Sequence, residues 1–184
     1  MTKTTSSIHF KAKLQRPVEP ANATWTFLIL PKAASGKLPT RSMTTVNGTL
    51  DGAPFQATLE PDGKGSHWLK VDKKLRETAG ANAGDEVELE ISPVAEEPEP
   101  KVPADLRKAL ADAPPEARAT WKDITAVARR DWIHWITSAK KAETRVRRIE
   151  VACDKLAGGQ RRACCFDRSG MYSNSLAPPE AVAD

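Results

Sequence analysis

Eleven residues, Pro93-Val-Ala-Glu-Glu-Pro-Glu-Pro-Lys-Val-Pro103, divide this chain into two parts. Pro93, Pro98, Pro100 and Pro103 each lack a backbone donor, and Glu96, Glu97 and Glu99 add like charge between them. Neither a period of two nor one of 3.6 runs through the stretch, so it reads as an extended linker. The apolar pattern before it has the period of strands, and the pattern after it has the period of helices. The chain is therefore expected to be α+β: a small antiparallel β-barrel followed by a small helical domain. The expected boundaries are 1–92 for the barrel, 93–103 for the linker, 104–165 for the helices and 166–184 for an irregular tail.

Six strands are expected. Ile8-His-Phe-Lys-Ala-Lys-Leu14 and Asp85-Glu-Val-Glu-Leu-Glu-Ile91 alternate apolar and polar residues, as a half-buried strand does. Trp25–Leu30, Met43–Leu50, Pro54–Leu59 and His67–Val71 are the others, with a bulge expected at Asn47-Gly48. Asp51-Gly52 is a two-residue hairpin turn, because both residue types accept positive φ. Ala33–Pro39 has loop composition, and Asp72 is placed to cap a short helix, Lys73–Ala79. The connections are too short for parallel crossovers, so antiparallel pairing follows.

Beyond the linker, helices are expected over Ala104–Ala113, Glu116–Trp121, Ile124–Ala139 (capped by Asp123) and Thr144–Leu156. Ile124, Ala128, Trp132, Trp135 and Ile136 fall on one face of the third. Val146, Ile149, Cys153 and Leu156 form a stripe on the fourth, which packs on the third and ends at Gly158-Gly159.

Much chemistry is missing. The longest apolar run, near Phe27–Leu30, falls far short of the roughly 20 residues of a membrane span, so no membrane insertion is expected. The N-terminus has no secretory pattern, which points to the cytoplasm. Cys153, Cys164 and Cys165 are an odd number without metal-ligand spacing, and His9, His67 and His134 are scattered. They make neither a disulfide framework nor a zinc site, and the vicinal Cys164–Cys165 pair reads as reduced, packed thiols. Ser35-Gly36-Lys37 echoes a phosphate loop, but Pro31 stands where its first glycine belongs and Leu38 follows the lysine. No cofactor is called for, and no enzymatic constellation stands out.

What does stand out is charge. Between Arg129 and Arg162 there are ten basic residues against four acidic ones, in a chain of net charge +4. Lys140 and Lys141 fall at a junction of two helices, and Arg145 and Arg148 are three apart on the next. Together with Trp135 they form a candidate site for a phosphate or carboxylate. The competing reading is a solvated helix face, with Glu143 and Arg147 pairing at four-residue spacing and Trp132 and Trp135 in the core. His67 follows a glycine-rich turn, where it lines a barrel mouth or is an exposed strand residue.

The segment Trp132-Ile-His-Trp-Ile-Thr-Ser-Ala-Lys-Lys-Ala-Glu-Thr-Arg-Val-Arg-Arg-Ile149, with Leu156-Ala-Gly-Gly159, resembles the YdeI/OmpD-associated, or bacteriocin-protection, family. The first part resembles the domain of unknown function of the nineteen-oh-five type. There the matching stretches are Trp25–Pro31, Val46–Phe55 and Gly80–Ile91. The resemblance implies a barrel similar in character to the swapped, double-split barrels of the AbrB/MazE type, and a role in protection against bacteriocins. It supplies no reaction and no catalytic residues. The chain departs from the pattern at Arg41, which is followed by Ser-Met-Thr-Thr before Val46.

Three functions follow as expectations. The first is a non-enzymatic binding protein using Lys140, Lys141, Arg145 and Arg148 for an anionic ligand; nucleic acid is admitted, although +4 is modest for a general binder. The second is a stress-protection protein acting through a protein partner. The third is a small-molecule enzyme or sensor using His67 or Arg41. A swapped barrel implies a homodimer; a single-chain barrel of six strands does not need one.

Overall fold

The strand alternation is realised in a six-stranded antiparallel sheet of order β1-β6-β3-β4-β5-β2, all from one chain. The computed structural model describes residues 6–163 and 177–183; Cys164 and Cys165 lie outside them. The strands are β1 (Ile8–Lys13), β2 (Thr26–Ile29), β3 (Thr44–Leu50), β4 (Ala53–Pro61), β5 (His67–Val71) and β6 (Glu86–Pro93). β1 and β6 pair with Ile8 opposite Ile91, Phe10 opposite Leu89 and Ala12 opposite Val87, so one face of each strand is wholly apolar. The outward face carries His9 opposite Glu90 and Lys11 opposite Glu88. The sheet curls until its edges meet at one residue pair, where Gln15 and Phe27 exchange backbone hydrogen bonds of 2.8 and 3.0 Å. Inside lie Leu14, Leu28, Leu30, Val46, Leu50, Leu59, Leu69 and Leu89, each almost fully buried. Each such side chain contributes about 1.5–3 kcal/mol relative to exposure.

Two details of β3 explain its sequence. Asp51 and Gly52 have φ of 44° and 83°, and they link Leu50 to its partner Ala53 in a two-residue turn. Gly48 is not at a bulge, contrary to the sequence expectation: the register runs unbroken through Asn47–Gln56 and Gly48–Phe55. It is glycine because β6 passes too close, and a Cβ there would lie 2.3 Å from the Glu90 carbonyl oxygen.

Two short helices complete this unit. α2 (Lys73–Ala79) begins at Asp72, whose Oδ1 accepts from the Leu75 amide at 2.7 Å, and ends at left-handed Gly80. α1 (Lys32–Ser35) is a single turn inside the stretch whose composition reads as loop. Residues 177–183 belong to the same unit, with Val182 N–H donating to Arg16 O and Val18 N–H to Glu180 O.

Among the described residues, the second unit spans 97–163. It contains α3 (Ala104–Asp112), α4 (Pro115–Asp123), α5 (Ala126–Thr137) and α6 (Ala142–Ala157). Its core gathers Leu106, Leu110, Ile124, Trp132, Trp135, Ile136, Ile149, Cys153 and Leu156. One long helix from Ile124 capped by Asp123 was the sequence expectation. Instead α4 runs to Asp123, Ile124 is extended, and Thr125 caps α5 by accepting from the Ala128 amide at 3.2 Å. Asp123 pairs with Arg161 instead. The α6 stripe also begins one turn later than expected, at Ile149, since Val146 is 58% exposed.

Candidate functional site

Trp135 and Arg148 meet where α6 crosses the end of α5. Trp135 is buried edge-on against Trp132, with ring centroids 6.1 Å apart. The Arg148 guanidinium lies over the Trp135 ring, 5.3 Å from its centroid. Its Nη1 donates to Trp135 O at 2.6 Å and to Ser138 Oγ at 3.1 Å. These contacts satisfy the last turn of α5, whose carbonyls have no intrahelical donor. Arg145 turns the other way. Its Nε and Nη2 donate to the two carboxylate oxygens of Asp105 on α3, at 2.7 and 3.1 Å. That pairing holds the Asp105 carboxyl below its usual range and raises Arg145 in return.

The same use of arginine recurs across the unit. Arg129 Nη1 donates to the carbonyls of Trp121 and Ile124 at the α4–α5 break, while Nε and Nη2 grip Glu99 at 2.6 and 2.8 Å. Arg130 pairs with Glu97 at 2.7 Å, with both side chains largely buried. Two of the linker glutamates are therefore latched to α5. Arg118 donates to Ala111 O and Ala113 O beyond the end of α3. Beside this network, burial pushes the Asp131 carboxyl up. Burial, then the nearby Arg130 charge, pushes the His134 imidazole down. The Cys153 thiol is pushed up by burial and by Asp154, so it is a weak nucleophile.

The four cations predicted from sequence are thus not one patch. Arg145 and Arg148 hold α6 to α3 and α5, whereas Lys140 and Lys141 are exposed just before α6. A groove of about 530 Å³ lies along α6, lined by Trp135, Glu143, Thr144, Arg147, Arg148 and Val151. Arg147, exposed on its rim, is the residue that sequence reading assigned to simple pairing with Glu143. The signal that places it is spacing: Glu143, Arg147 and Val151 step by four, as do Thr144 and Arg148, so all five share one face.

His67 and Arg41 are elsewhere, in the barrel unit. His67 is 1% exposed, neither at a mouth nor on the surface. Its Nε2 faces Ser42 O at 2.9 Å, and a carbonyl can only accept, so Nε2 carries the proton. Nδ1 lies 2.6 Å from the Ser35 hydroxyl, in hydrogen-bond contact with it. The ring clasps α1 to the segment before β3, and the Ser35 hydroxyl is buried with it. Arg41 is exposed on that segment. Among the described residues, no group of three or more His, Cys, Asp or Glu is arranged to hold a metal ion. Among them too, no helix is long and apolar enough to cross a membrane.

Comparison with known families agrees with this two-part layout. Residues 10–91 match the model of a domain of unknown function (DUF1905), and residues 99–159 match that of the family described as bacteriocin-protection, YdeI or OmpD-associated. The two matches follow one another along the chain without overlap. No curated protein sequence matches the chain. The YdeI/OmpD-associated region contains all of α3–α6, and therefore the α6 groove, Lys140, Lys141 and every arginine clamp just described except Arg161.

Proposed function

We propose that this is a non-enzymatic protection protein of the YdeI/OmpD-associated kind, which counters bacteriocin-type stress by docking an anionic partner protein on its helical unit. The observation that carries the reading is the α6 groove, where an aromatic floor at Trp135 and an aliphatic wall at Val151 lie beside the exposed cation of Arg147. An acidic segment with an apolar anchor suits such a surface. Lys140 and Lys141, exposed just before the same helix, extend its positive field and speed encounter with such a partner. Arg148 belongs to the groove wall but is already committed to α5, so it shapes the site more than it grips a ligand. The family description supports the protective role.

The test is survival of bacteriocin-sensitive cells that express the chain. The wild type raises survival. A Lys140→Glu/Lys141→Glu/Arg147→Glu variant, folded by circular dichroism, loses that gain. Equal protection by both chains, or none by the wild type, contradicts the reading.

A further inference from the structure

The barrel unit holds a second cavity, untouched by any residue discussed as a candidate site. Its position follows from how the sheet closes. Only the Gln15–Phe27 pair bridges β1 and β2 beyond the strand ends. Residues 13–16 and 23–25, which flank that bridge, line a cleft of about 750 Å³. Its other walls are α2, the turn at 82–84 and the returning segment 181–183.

The lining is one-sided in charge. Lys13, Arg16, Lys73 and Arg76 all contribute to it, and among the described residues no acidic side chain lines it. Glu86 stands opposite Lys13 in the β1–β6 register, two other acids nearby are turned to backbone amides, and a third pairs weakly with Lys73. Asp72 Oδ1 accepts from the Leu75 amide and Asp85 Oδ2 from the Asn82 amide, both within 2.8 Å. Glu77 reaches Lys73 at 3.7 Å, an exposed pair of little strength. Arg76 is held in place by donating Nη1 to Thr24 O at 3.0 Å. Trp25 adds an aromatic wall. The basic lining, with Arg16 and Arg76 on either side of the cleft, attracts an anion. Guanidinium groups favour the planar, two-pronged contact that phosphate oxygens offer. The volume lies in the range of small-molecule sites and is much larger than a bare phosphate needs.

We infer that this seam cleft binds a small organic phosphate of mononucleotide size, with its phosphate among Arg16, Lys73 and Arg76 and its ring against Trp25. The segment 181–183 forms part of the wall, anchored by the hydrogen bond from Val182 to Arg16 O. The inference rests on the barrel unit alone and is independent of the α6 groove.

Calorimetric titration of the full chain with AMP, and separately with inorganic pyrophosphate, tests it at low and moderate salt. Arg16→Glu/Lys73→Glu alters two exposed side chains and leaves the core intact; Lys140→Glu/Lys141→Glu, in the other unit, is the control. The expected result is saturable AMP binding that weakens with salt, falls about tenfold or more in the first variant and is unchanged in the control. Trp25→Ala weakens AMP more than pyrophosphate, which has no ring to place there. Absence of saturable AMP binding by the folded wild type, or equal binding by the Arg16→Glu/Lys73→Glu variant, overturns the inference. Equal effects of Trp25→Ala on AMP and on pyrophosphate overturn the ring contact at Trp25.

Discussion

The barrel and the helical unit solve the same problem, joining elements distant in sequence, with different groups. In the barrel most joints are backbone ladders, with charges paired on the outer face as at Lys11 and Glu88, and side-chain clasps such as His67 are few among the described residues. In the helical unit the joints are arginine side chains. Arg118, Arg129 and Arg148 supply donors to carbonyls where helices end, while Arg129, Arg130, Arg145 and Arg161 pair with carboxylates 30 to 40 residues away. A sheet satisfies its own backbone; a short helix leaves four N–H groups open at its start and four carbonyls open at its end. A basic excess in a helical region is therefore first a structural resource, and only what remains exposed is available to a partner.

The comparison breaks most sharply at Gly48. Gly48→Ala drives a Cβ into the β6 backbone, and it should destabilise the barrel by about 3 kcal/mol while sparing the helices. Amide hydrogen exchange resolved by region checks both parts of that statement. Arg129→Ala is the counterpart in the helical unit. It removes the donor at the α4–α5 break and the Glu99 clamp together, and a loss of about 2 kcal/mol confined to that unit is expected in urea unfolding. Arg129→Lys should not restore it, since one ammonium cannot reach carbonyls and a two-pronged carboxylate at once.

Smaller effects sharpen the picture. Arg145→Ala breaks a half-exposed pair and should cost about 0.5–1 kcal/mol at neutral pH. The Asp105 carboxyl is depressed in the fold, so its contribution is present at neutral pH and is lost as pH falls through the carboxylate range. The Arg145→Ala deficit should shrink in the same range. His134 acts at higher pH. Its folded value is lowered, so the unfolded chain takes up the proton first as pH falls from about 6.5, and stability declines with it. His134→Gln should flatten the unfolding midpoint of the helical unit between about pH 7 and pH 5. Asp131 is shifted upward and has the opposite sign, losing stability as pH rises through the carboxylate range.

Local pattern carried most of the fold. Alternation located β1 and β6, because one face of each is buried and a slip of one residue would expose it. The turn at Asp51-Gly52 and the cap at Asp72 were equally legible, since each acts on its immediate neighbours. The α4–α5 break was not. Ile124 and Ala128 keep the helical period across it, and the choice of Thr125 over Asp123 as cap depends on Arg161, 38 residues beyond Asp123. Arg145 illustrates the same limit at the candidate site. Its charge and helical position were plain, but its partner Asp105 is 40 residues away and leaves no periodic trace. His67 was misplaced because a histidine at a strand start carries no sign of its burial. The hydroxyl and carbonyl that satisfy it belong to Ser35 and Ser42 in the stretch that reads as loop.

The central claim is that the basic residues of the helical unit divide into clamps and free cations. Thermal unfolding of two variants, Arg145→Gln/Arg148→Gln and Lys140→Gln/Lys141→Gln/Arg147→Gln, tests it most directly. The account predicts that the first lowers the midpoint of the helical unit by several degrees, about 2 kcal/mol in all, and that the second leaves it unchanged. Equal midpoints for the two variants, or the greater loss in the lysine-bearing set, would contradict it.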